Sequence, residues 1–245
     1  MIPFKIRCSA IGQIMTNSRK KGELSKTTQS YLDLWIKEKI YDRRKRIKSK
    51  YLDKGNMCEN DSIKFISQYL GMKGLVKNEM FFTDEYMTGT PDLIIKGEDL
   101  KFADSDLVID VKNSWDFSTF PLFCDDVPNK DYYYQAQGYL NLTGAKHYKL
   151  IYTLMNTPES LIRRDYKFSD DIDYDEFAED EFAEDYSYNS FAKDYNYDNI
   201  DNKHRIKVFD IKRDDEVIEQ INQRVIECRG YIDNILNDLQ INKTK

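Results

Sequence analysis

The spacing of apolar residues changes along this chain, and the order of the changes restricts it to helices packed around a sheet. Across residues 31–51, Leu32, Ile36, Ile40, Ile47 and Tyr51 recur at helical spacing, with Lys37, Arg43, Arg44, Lys45, Arg46, Lys48 and Lys50 between them. That pattern predicts a helix with one apolar stripe and a largely basic remainder. Gly55 follows it, and a second helix is predicted over 57–70, stopped by Gly71 and Gly74. The period then changes: 75–82, 87–96 and 107–112 are short, rich in β-branched or aromatic residues and separated by turn formers, which predicts an antiparallel meander. A helix over 132–142 ending at Gly144, a strand over 148–155, a short helix over 158–164, a strand over 206–211 and a closing helix over 216–239 complete the pattern. The expected fold class is α/β (α+β), a central mixed β-sheet flanked by helices.

With 245 residues, 40% of them hydrophobic, the chain is read as one domain over 1–245. No run of about 18 apolar residues is present, and the opening Met1-Ile2-Pro3-Phe4-Lys5 lacks a secretory apolar stretch. A cytoplasmic protein without membrane contact is expected. The net charge of -6 averages two opposite regions. Residues 1–54 hold fifteen Lys/Arg against five Asp/Glu, whereas 170–201 hold thirteen Asp/Glu against Lys193 alone. The basic end is suited to a phosphate backbone. The acidic stretch, with Glu-Phe-Ala-Glu-Asp written twice in tandem, reads as a surface insertion, and its aromatics, Phe182, Tyr186, Tyr188 and Phe191 among them, predict short helices packed on the domain away from a DNA channel. Cys8, Cys58, Cys124 and Cys228 lie far apart and only two histidines occur, so neither a zinc site nor a disulfide framework is signalled.

Side chains alternate along a strand, so Asp110 and Lys112 in Leu107-Val108-Ile109-Asp110-Val111-Lys112 share one face. Taken alone they are compatible with a surface pair. Asp92, in Gly89-Thr90-Pro91-Asp92, precedes the apolar Leu93-Ile94-Ile95; it is either a turn residue or, if its strand runs beside Asp110, half of an acid pair that needs a cation or a shared proton. Glu59 is in helical register with Ile63, Ile66 and Leu70 and so projects inward, although a first-turn glutamate is also favoured by the helix dipole. Gln135 and Tyr139 lie one turn apart on the next helix, where a tyrosine-rich run serves packing as readily as a site.

The ordered set Glu59, Asp92, Asp110-x-Lys112 and Gln135-x-x-x-Tyr139 resembles the PD-(D/E)XK nucleases of the RecB and lambda-exonuclease branch, including the YqaJ-type phage exonucleases. The likeness extends to Ile6-Arg7-Cys8-Ser9-Ala10-Ile11-Gly12, to Thr153-Leu154-Met155-Asn156-Thr157-Pro158 and to the ending from Arg205 through Tyr231. It implies a DNA exonuclease acting at duplex ends, with Mg²⁺ or Mn²⁺ held by Asp92, Asp110, the Val111 carbonyl and Glu59. It further implies that Lys112 orients and helps deprotonate water, that Gln135 and Tyr139 position Lys112 or the terminal nucleotide, and that Ser9, Arg19, Lys20 and Lys21 hold the DNA end. Arg43, Arg44 and Arg46 join these as candidate phosphate contacts. A single-strand annealing protein and further copies of the chain are the protein partners such a role brings. The late clustered cysteines of iron-sulfur relatives are missing, as is a phosphate-binding helicase loop, so no iron-sulfur cluster and no unwinding by the chain itself are expected. A structure- or site-specific endonuclease and a non-catalytic DNA- or protein-binding module are the competing readings.

Overall fold

The computed structural model describes residues 3–72, 74–99, 105–167 and 181–241. It opens on a two-residue strand, β1 (Ile6–Arg7), and a short helix, α1 (Ile11–Ile14). α2 (Lys26–Ile40) starts at Ser25, whose hydroxyl accepts the Thr28 N–H. It stops well before residue 51: Tyr41 closes it and Asp42 takes a φ of 48°. The predicted helix over 31–51 is therefore two helices joined by an irregular stretch, because a continuous one would stack Arg43, Arg44, Lys45, Arg46, Lys48 and Lys50 as like charges one turn apart. α3 (Lys50–Leu70) begins earlier than its predicted start and runs through Gly55, held by burial of Lys54, Cys58, Ser62, Ile63 and Ile66.

The meander also differs from expectation. Residues 75–81 form no strand; β2 (Phe82–Thr83) pairs antiparallel with β3 (Met87–Gly89), which pairs parallel with β1 in a small sheet of its own. The second sheet runs in the order β4 (Leu93–Ile95), β5 (Leu107–Asn113), β6 (His147–Thr153) and β7 (Ile206–Lys212). β5 is antiparallel to β4 and parallel to β6, and β6 is antiparallel to β7, so this sheet is mixed as predicted. Between β5 and β6 lies α4 (Lys130–Thr143), which ends at Gly144 with a φ of 72°, a left-handed turn that a Cβ disfavours. α5 (Glu159–Tyr166), α6 (Glu181–Lys193) and α7 (Asp215–Ile241) complete the set.

Alternation along β5 divides the core. Leu107, Ile109 and Val111 meet Ile63 and Ile66 of α3, whereas Val108 faces the larger cluster that contains Ala136, Tyr139 and Leu140 of α4. Each fully buried aliphatic side chain here contributes roughly 1.5–3 kcal/mol. Asp110 and Lys112 share the Val108 face, so β5 points its two charges toward α4.

Part of the acidic stretch is helical, as predicted. α6 and the residues after it dock on α5 through Tyr188, Phe191 and Tyr195 against Ile162 and Tyr166, with the Arg163 guanidinium 4.3 Å from the centre of the Tyr188 ring. The first Glu-Phe-Ala-Glu-Asp copy lies outside the described residues, as does any pairing of the Phe182 and Tyr186 side chains. Among the described residues no helix is long and apolar enough to cross a membrane.

Candidate active site

Because Leu93 pairs with Ile109 in antiparallel register, Asp92, one residue before β4, falls beside Asp110. Asp92 Oδ2 accepts the Val111 N–H at 2.7 Å. Asp110 is 2% exposed; its Oδ2 lies in ion-pair contact with Lys112 Nζ but receives no aligned hydrogen bond. Lys112 Nζ also sits 4.8 Å from the centre of the Tyr132 ring. From α4, Gln135 Nε2 donates to Asp110 Oδ1 at 3.4 Å and lies 3.5 Å from Tyr139 Oη, which donates to the Thr90 carbonyl at 3.1 Å. Gly89 permits this approach: a Cβ there would stand 2.6 Å from the Tyr139 ring and 3.1 Å from Cys8 Sγ.

Burial and then the neighbouring charge of Asp110 push the Asp92 carboxyl up to about 8, against the opposing Val111 N–H and Lys112. Burial works against the Lys112 ammonium, but Asp110 and Asp92 outweigh it and hold its pKa above the ordinary value. One ammonium is thus shared by two buried carboxylates, an arrangement that a further proton or cation relieves. The carboxylate oxygens, one of them buried without an aligned donor, are hard donors and fit a divalent ion such as Mg²⁺ or Mn²⁺.

Glu59 lines the same cleft, of about 690 Å³, together with Ser9, Asp92, Asp110, Val111, Lys112, Gln135 and Tyr139. Its carboxylate is turned to Lys77, with Nζ 2.5 Å from Oε2. Among the described residues no three His, Cys, Asp or Glu side chains come close enough together to hold a metal. The cleft therefore gathers the predicted acids, while only Asp92 and Asp110 are brought into one pair.

The predicted DNA contacts divide. Ser9 is in the cleft wall. Arg19, Lys20 and Lys21 are exposed in the turn between α1 and α2, with Lys20 3.5 Å from Glu23. Arg43, Arg44 and Arg46 are exposed on the 41–49 connection, not on a helix, and that connection leads into Tyr51 and Leu52 at the cleft.

Sequence reasoning missed Trp115, Tyr51, Tyr132 and Tyr152 in the wall, and Lys54 behind it. Lys54 is fully buried and donates to the Trp115 carbonyl at 2.8 Å; burial pulls its pKa down to about 8. Tyr195 meets the Trp115 ring at 5.7 Å and the Tyr197 ring centre lies 5.9 Å from Lys54 Nζ, so the end of the acidic stretch packs behind the cleft wall, outside the cleft lining. A run of basic residues gives no signal that one of them is interior. A second depression, of about 890 Å³, at the start of α7 holds none of the predicted site residues.

No protein-family model and no curated protein matches the chain. Among solved structures it is similar to a phage-related exonuclease from Haemophilus somnus 129PT, with a TM-score of 0.76 and 26% identity over 97% of each chain. It is also similar to the alkaline exonuclease LHK-Exo from Laribacter hongkongensis, with a TM-score of 0.61 and 14% identity over 98% of this chain and 93% of that one. A second structure of that enzyme, in complex with dAMP, matches equally. Over nearly its whole length the chain thus shares the fold of the phage-related exonuclease from Haemophilus somnus and of LHK-Exo.

Proposed function

We propose that the chain is a divalent-metal-dependent deoxyribonuclease that hydrolyses phosphodiester bonds from the ends of duplex DNA. The observation that carries this reading is the buried Asp92–Asp110 pair with Lys112 on the floor of the cleft. Asp92, Asp110, the Val111 carbonyl and Glu59 are the oxygen donors that would hold Mg²⁺ or Mn²⁺, which when bound activates water and screens the charge developing on phosphate. Lys112, kept charged by its two acids, donates hydrogen bonds that orient the attacking water and the scissile group. Gln135 fixes the Asp110 carboxylate and Tyr139 fixes Gln135 against the Thr90 carbonyl. Ser9 at the cleft, with Arg19, Lys20, Lys21, Arg43, Arg44 and Arg46 as exposed cations, holds the strand by its phosphates. The dAMP bound by the Laribacter enzyme supports DNA as the substrate class, and the likeness to a phage-related exonuclease supports a role in phage-type end processing.

The test compares one duplex in linear and in covalently closed circular form, with Mg²⁺ and again with EDTA. Loss of the linear form alone, stopped by EDTA, is expected. Cutting of the closed circle would make the protein an endonuclease, and no cleavage of either form would leave a DNA-binding module.

A further inference from the structure

The carboxylates of the cleft are balanced unevenly. Lys112 is committed to Asp110, and Asp92 is held by the Val111 N–H. Glu59 instead meets Lys77, which stands 46% exposed against 20% for the glutamate and comes from a stretch without helix or strand. Its neighbour Asn78 fixes that stretch: the Asn78 N–H donates to the Asp92 carbonyl at 2.7 Å and its side-chain amide to the Pro91 carbonyl at 2.9 Å. Lys77 is thereby tied to the same backbone that presents Asp92, and its ammonium interacts with that carboxylate as well.

Three carboxylates line the cleft against one ammonium, and Lys77 adds a second from outside the lining. With all three carboxylates ionised, as a bound cation would require, one negative charge remains in excess among these five groups. A divalent cation turns this into one positive charge, the complement of a single phosphodiester.

We propose that Lys77 is an exchangeable counter-ion of Glu59: it holds the third carboxylate out of the acid pair, and a divalent cation bound at Asp92 and Asp110 displaces it. The inference rests on the metal-site reading above. A half-exposed lysine–carboxylate pair changes an equilibrium constant by about two- to fivefold, enough to bias Glu59 and too little to withstand a divalent ion. The freed ammonium, still anchored beside Asp92 through Asn78, then faces the phosphate that the added charge attracts.

The experiment measures Mn²⁺ binding by calorimetry on the full chain without DNA. Lys77→Met should bind Mn²⁺ about two- to fivefold more tightly than the wild type, Lys77→Arg should match the wild type, and Lys77→Met added to Glu59→Gln should change nothing further. Unchanged or weaker binding by Lys77→Met, while the wild type binds normally, overturns the proposal. An equal gain in the Glu59→Gln background does so too, because the lysine would then be repelling the ion directly and not acting through Glu59. A wild type that binds no Mn²⁺ overturns the metal-site reading itself, and this inference with it.

Discussion

The two sides of the cleft are built to different tolerances. On one side Asp110 and Lys112 sit in a seven-residue strand, Asp92 is fixed by its register, and Gln135 and Tyr139 project from a helix packed on the same sheet. On the other, Glu59 is met by a lysine from an irregular stretch, and Arg43, Arg44 and Arg46 stand exposed on a connection. On the proposed function, the groups that meet the reacting atoms stand on or directly beside strands and helices, while groups that need only supply charge are on connections. The contrast makes the first side sensitive to shape and the second to salt.

Breaking the rigid side should cost most. Asp110→Ala and Lys112→Met are each expected to lower cleavage of linear duplex by about 10³-fold or more, the usual scale for losing a group that acts on the transition state. Far-ultraviolet circular dichroism should remain that of the wild type. Wild-type turnover in either variant at matched Mg²⁺ would show that the acid pair is not the reacting centre.

A smaller effect is expected from geometry alone. Gly89→Ala drives a methyl group into the Tyr139 ring, and the resulting repacking should cost about 1–3 kcal/mol in a urea titration. Cleavage should fall as Gln135 loses its support, with DNA affinity retained. Equal stability of the two proteins would mean that the ring has free space and that Tyr139 is not a fixed support.

The exposed-charge side should respond most weakly and only in binding. Neutralising Arg43, Arg44 and Arg46 together should lower DNA affinity and reduce the slope of log affinity against log salt by up to about 2.7, with turnover at saturating DNA unchanged. An unaltered slope would place the 41–49 connection away from the DNA path.

The same division governs what could be read from sequence. β5 and α4 were legible because alternation and helical spacing are local signals, and Gly144 marks its helix end by chemistry that needs no partner. The Asp92–Asp110 pairing followed from one assumption about register. β1 was not legible: two residues, Ile6 and Arg7, become a strand only by pairing with Met87 and Thr88, far along the chain. The helix boundary at Ile40 was hidden because periodicity counts apolar positions and is blind to the repulsion among the basic residues that follow. Lys77 was unreadable as a partner of Glu59, since nothing local links two residues joined only by the fold.

Trp115 has a practical consequence. The chain has two tryptophans: Trp35, half-buried, packs edge-on against the core residue Phe4, and Trp115 lines the cleft with Lys50 Nζ 4.6 Å from the centre of its ring. In a Trp35→Phe background the remaining indole emission would come from the cleft wall alone. Because that indole is only 2% exposed, DNA binding would register as a change in the packing around it, followed without a dye on either the protein or the DNA.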